Sequence, residues 1–95
     1  MSEKTSVTVR IAGEEHTIRA AAEPAYTKAC AKLVDERIAE IRSRAGLIET
    51  HRLAILAALS ITDELLQARD ELDRLDREVA DRVETLLGRI EAEEV

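Results

Sequence analysis

One cysteine, one proline, three glycines and a single aromatic side chain, Tyr26, are all that this 95-residue chain holds of the residues that staple, interrupt or bulk out a compact fold. With Cys30 alone no intramolecular disulfide can form, and without a Cys/His cluster there is no structural zinc site. The chain also lacks a Gly-rich phosphate loop, a nucleophile motif and any zinc signature. Its two histidines, His16 and His51, lie far apart with no ligand spacing around them. The expectation is a protein that is not an enzyme, with no catalytic residues, no cofactor and no metal. No run approaches the roughly 18 apolar residues that a membrane span requires. The polar start, Met1 to Ser6, has no apolar signal region, so a cytoplasmic location is expected.

Length sets the next bound. A chain this short leaves much of its surface in water and is marginal as a lone globule. With disulfides and metal excluded, oligomerisation is the remaining source of stability. The apolar residues are almost wholly Ala, Leu, Ile and Val, the side chains of helix seams, while charged residues make up 36%, more than a compact globule of this size can place on its surface. That balance suits a long solvated helix.

Charge is unevenly spread. Residues 1–60 carry nine Lys/Arg and eight Asp/Glu, net +1, whereas residues 61–95 carry five Arg and twelve Asp/Glu, net −7. Nucleic acid and anionic membranes both need concentrated positive charge, so neither is expected as a partner. The slightly basic first part can meet an acidic protein.

Val7, Val9 and Ile11 alternate with Thr8, Arg10 and Ala12, the period of a strand with one buried face. A II′ turn at Gly13 and Glu14 would set Ile11 opposite His16, Val9 opposite Ile18 and Val7 opposite Ala20, leaving Arg10, Thr17 and Arg19 on the outer face. A lone hairpin is unstable in water and must rest on a helix or another sheet. Glu23 and Pro24 then announce a helix over 24–45, since proline at the first helical position sacrifices no needed donor. Tyr26, Cys30, Leu33, Val34, Ile38 and Ile41 form its apolar stripe, which should cover the hairpin. Cys30 reads there as a small packed hydrophobe. Gly46 offers a left-handed stop.

Thr50 can cap a second helix, and nothing after His51 ends it; Gly88 costs only about 1 kcal/mol in a helix interior. Some 40 residues of helix would extend about 60 Å. Leu53 to Thr62 reads LAILAALSIT, ten residues without a charge. Apolar on every side, this segment needs protein all around it, and one side falls to a second subunit. Beyond it the apolar residues narrow to Leu65, Ala68, Leu72, Leu75, Val79, Val83, Leu86 and Ile90, a heptad seam with one stutter at Val79. Asp70/Arg74, Asp73/Arg77 and Glu78/Arg82 flank it as expected i,i+4 pairs. The fold class is therefore α+β, a small N-terminal β-hairpin plus helix forming a head, followed by a long C-terminal coiled-coil helix. Residues 1–62 form the head with its dimerisation segment and 63–95 the coiled-coil tail. Self-association is expected through Leu53, Ile55, Leu56, Leu59, Leu65, Leu72, Leu75, Val79, Val83, Leu86 and Ile90.

One polar group stands apart from the solvated faces. Arg42, Arg44, His51 and Arg52 fall at the end of the first helix and the start of the second, where chain reversal at Gly46 should gather them on one edge of the head. Arg37 lies two turns before Arg44 on a nearby face. Arginine near a helix C-terminus can merely complement the macrodipole, which suits Arg42 and Arg44; Arg52, in a first turn, sits at the disfavoured end. Both a binding role and a plain helix-end role are open to the group on these grounds.

The segment LAILAALSITDEL, Leu53 to Leu65, closely resembles the signature of the ZapA family of cell division proteins, which typically reads as a variant of L-A-V-L-A-A-L-N-I-A-D-E-L. The hairpin VTVRIAGEEHTIR and the helix EPAYTKACAKLVDERIAEIR precede it in the family's order, so the resemblance covers nearly the whole chain. Ser60 stands where the family usually has Asn. The resemblance implies a regulator that binds FtsZ at midcell and bundles its filaments at the Z-ring, working as head-to-head dimers paired through their long helices. It also implies that basic and polar residues around the end of the first helix and the start of the second contact FtsZ. Arg42 matches a basic position there directly, and Arg44, His51 and Arg52 do so by neighbourhood. Two other readings are an unrelated cytosolic coiled-coil adaptor and, more distantly, a helical mutase of the chorismate type, suggested by RDELDRLDREVADRVETLLGRI. The mutase helix should open its chain, and here it closes it.

Overall fold

Alternation before Ala20 and helical periodicity after Pro24 give four elements in the computed structural model: β1 (Thr5–Ile11), β2 (Glu14–Ala20), α1 (Pro24–Ala45) and α2 (Thr50–Glu93). The structure describes residues 3–93, with side chains as far as Glu91. The chain parts into two compact units between Ile61 and Thr62, although α2 runs through that point as one unbroken helix. Among the described residues no single helix is both long and apolar enough to cross a membrane.

In the first unit β1 and β2 pair antiparallel, with Val7 opposite Ile18, Val9 opposite His16 and Ile11 opposite Glu14. The turn residues are Ala12 and Gly13, so the register differs by two residues from the one a Gly13–Glu14 turn would set. Both carry positive φ, 54° and 80°, the signature of a I′ turn whose twist matches that of the flanking strands. Gly13 adopts this conformation freely. Ala12 does so at a cost of about 1–2 kcal/mol, and its N–H is held by Asp35 Oδ1 of α1 at 2.9 Å. Because the shift is two, the inward face of β1 is unchanged. On the outer face Thr8 Oγ1 lies 3.3 Å from Thr17 Oγ1.

Pro24 opens α1, and the Glu23 carbonyl accepts the N–H groups of Tyr26 and Thr27 at 2.9 and 3.1 Å. Gly46 ends it: the Gly46 N–H donates to the Arg42 carbonyl at 3.2 Å, with φ 78° and ψ −142°. The positive φ was expected, but this ψ lies outside the left-handed helical region, in territory that glycine alone occupies readily. In α2, Thr50 is the first helical residue rather than the cap, since Leu53 N–H already bonds to the Glu49 carbonyl at 3.0 Å.

Two small clusters hold this unit together. Val7, Val9 and Ala31 form one; Ile38, Leu53 and Ala57 form the other, and Ile11 packs against both. The α1 face over the hairpin thus runs through Ala31, Val34, Ile38 and Ile41, and it lies on β1. Tyr26, Cys30 and Leu33, expected on that face, form a neighbouring stripe that a single chain leaves exposed. A 100° step per residue explains the split: positions 26, 30 and 33 are one residue out of phase with 27, 31 and 34. The reading of Cys30 as packed within its own chain is corrected accordingly.

Candidate functional site

The connection between α1 and α2 is four residues long, 46–49, so the last turn of one helix lies close in sequence to the first turn of the other. Arg42 and Arg44 occupy the last turn of α1; His51 and Arg52 occupy the first turn of α2; all four side chains are exposed. Leu47 projects fully into solvent from the connection between them. The underside of the same region is anchored by Ile38, Leu53 and Ala57, with Ile41 and Ile48 packed against them, so the cations stand on a fixed base.

Arg37 behaves differently from the other four. Its side chain is only 13% exposed, and it donates to Ser60 Oγ at 2.9 Å and lies 3.4 Å from Glu40 Oε2. It therefore ties α1 to α2 rather than presenting a charge to solvent. Ser60, bland in the sequence, is the hydroxyl that satisfies it. The structural role of Asp35 was likewise not legible: a carboxylate next to the inward face of a helix gives no hint that it accepts the N–H of a turn residue 23 positions earlier.

The residues named for self-association also divide. Leu53 is fully buried within its own chain and belongs to the intramolecular core, which corrects its placement at a subunit contact. Leu56 is half-buried, whereas Ile55 and Leu59, on the opposite side of the same turns, are exposed. LAILAALSIT is thus covered on one face and bare on the other. In the second unit Leu65, Leu72, Leu75, Val79, Val83, Leu86 and Ile90 are all exposed, from 42% for Leu75 to 62% for Leu72, and Leu66 and Leu87 widen the apolar face.

Around that face the ion pairs are partly those expected. Glu78 pairs with Arg82 at 3.7 Å, but Arg74 turns to Glu71 at 2.7 Å and Glu78 at 3.0 Å instead of Asp70. The Arg74 guanidinium holds the Glu71 carboxyl below the usual carboxylate range, and Glu71 in turn raises Arg74. These groups are fully exposed, so the arrangement organises the helix surface without contributing much stability. Among the described residues no group of His, Cys, Asp and Glu side chains is placed to hold a metal ion.

A family profile described as cell division protein ZapA matches residues 7–90. The chain is 35% identical over 92 residues to the ZapA protein of Pseudomonas aeruginosa, covering 96% of this chain and 88% of that one. It is 38% identical over 72 residues to the ZapA protein of Geobacillus thermodenitrificans, covering 76% and 79%. Among solved structures it resembles a ZapA mutant dimer from Geobacillus stearothermophilus, with a TM-score of 0.63 and 34% identity over 80% of this chain and 88% of that one.

Proposed function

The chain belongs to the ZapA family of cell division proteins, and from that premise we propose that it binds FtsZ filaments at the cytoplasmic division site and cross-links them as a homo-oligomer. The observation that carries this reading is a division of labour along the chain. The first unit presents Arg42, Arg44, His51 and Arg52 around an exposed Leu47. The second unit presents an apolar stripe, with no side chain of its own unit to cover it, and a net charge of −7 from residue 61 onward. Charges at the first surface attract an acidic patch on a filament, while the acidic tail is repelled from it.

Self-association makes weak contacts sufficient. When two or more heads are joined, a second contact follows the first at high effective concentration, and two filaments are held by one particle. Tail residues supply the joining, and residues through about position 62 supply the contact. The bare face of LAILAALSIT, with Ile55 and Leu59 exposed, supports a further contact between subunits.

Co-sedimentation with polymerised FtsZ tests the reading. The wild-type protein should pellet with polymer, and less so as salt rises, because exposed charges are screened within about 10 Å at 0.1 M. The double reversal Arg42→Glu and Arg52→Glu should stay in the supernatant with helicity and oligomer mass unchanged. A double reversal that pellets like wild type places the contact elsewhere on the molecule.

A further inference from the structure

A second surface of the first unit, the outer edge of β1, lies outside the Arg42–Arg52 region. In the two-residue hairpin, Ile11 with Glu14, Val9 with His16 and Val7 with Ile18 direct their main-chain groups at each other. The alternate residues Ser6, Thr8 and Arg10 must then direct their N–H and C=O groups away from β2, along an edge that, among the described residues, no other strand occupies. That edge borders a groove of about 280 Å³ between β1 and α1, lined by Thr8, Val9, Arg10, Lys28, Lys32 and Asp35. Three of those residues are cationic, and of these Lys32 lies 3.9 Å from Glu36 Oε1 in an exposed pair on its own helix. The one carboxylate has an oxygen engaged already with the Ala12 N–H.

We propose that the free edge of β1 takes up an extended acidic peptide of a partner protein as a third strand. Main-chain hydrogen bonds to Ser6, Thr8 and Arg10 would supply the register, as in other cases of strand addition. Side chains on the inner face of the added strand run beside α1, where Lys28 and Lys32 stand one turn apart, so carboxylates at alternate positions meet them. A second copy of β1 is the poorer occupant: TSVTVRI carries Arg10 and no acid, and would bring another cation to a cationic groove. A two-stranded sheet is short of partners on its own, and a third strand supplies them.

The probe is a capped peptide of alternating Glu and Thr matched to the seven residues of β1, titrated into the intact, isotope-labelled chain. Amide exchange at Ser6, Thr8 and Arg10 should slow by about tenfold or more at saturation, with Val7 and Val9, already paired to β2, unchanged. Lys28→Glu with Lys32→Glu should weaken binding by about tenfold or more at unchanged helicity. Thr8→Pro, which removes an outward-facing N–H together with the exposed hydroxyl contact to Thr17, should do likewise, whereas Thr8→Val, which removes the hydroxyl alone, should bind as the native chain does. Three results overturn the proposal: edge amides indifferent to the peptide, edge amides already protected before it is added, which would mean that a second copy fills the edge, or a reversed-charge variant that binds as tightly as the native chain.

Discussion

Two glycines with opposite tasks show how single residues set this molecule. Gly46 stops α1 with φ 78° and ψ −142°, a conformation a Cβ makes strained even though no atom lies within 4 Å of where that Cβ would stand. Gly88 is an ordinary interior helical residue with equally open surroundings. Gly46→Ala should therefore destabilise by roughly 1–3 kcal/mol, while Gly88→Ala should stabilise by about 1 kcal/mol. Thermal unfolding of the two variants checks both signs. The helix-stopping role of Gly46 was legible because glycine after a run of helix formers has few other uses. The roles of Asp35 and Ser60 were not, because each is defined by a partner 23 residues away, Ala12 N–H in one case and Arg37 in the other. Arg37 looked like its neighbours Arg42 and Arg44 for the same reason: charge is visible in a sequence, and the hydroxyl that absorbs it is not.

At the scale of elements, α1 and the hairpin were readable from Pro24, Gly46 and the alternation Val7, Val9, Ile11, but their details were decided by tertiary packing. The I′ turn at Ala12–Gly13 is affordable only because Asp35 reaches Ala12. The apolar residues of α1 proved to be two stripes; periodicity alone cannot say which of two adjacent stripes meets the hairpin and which is left bare. In α2 the electrostatics make a testable contrast. The Glu71 carboxyl is held below its ordinary range by Arg74, so the pair's contribution is complete above the ordinary glutamate pKa and is lost as pH falls through the depressed one. Added salt screens the repulsion between like-charged tails, each net −7 from residue 61 onward, and this outweighs the loss of an exposed pair. Self-association should accordingly strengthen with added salt, whereas binding to FtsZ should weaken with salt. Sedimentation velocity and co-sedimentation at matched salt concentrations measure the two slopes, which should have opposite signs.

At the scale of the whole molecule, the decisive feature is how little one chain buries. Among the described residues, six, Val7, Val9, Ala31, Ile38, Leu53 and Ala57, make up the buried apolar core, while fifteen large hydrophobics stand exposed. A folded monomer should not persist at micromolar concentration, and multi-angle light scattering should find dimers or larger species whenever native helicity is present. The bare apolar surface that a partner subunit would cover was legible in LAILAALSIT and in the heptad seam. The proposed filament contact is less so, because a few exposed cations near a helix end look alike whether they bind or merely balance a dipole. The central claim is that one protein both touches FtsZ through its first unit and joins filaments through its tail, and electron microscopy of FtsZ polymerised with the intact chain or with Val83→Lys tests it most directly. The intact chain should give bundles, and Val83→Lys, which puts a charge into the seam beside the stutter, should give mostly single filaments although it still pellets with polymer. Bundles undiminished by Val83→Lys, in a variant shown to have lost tail association, would contradict the account.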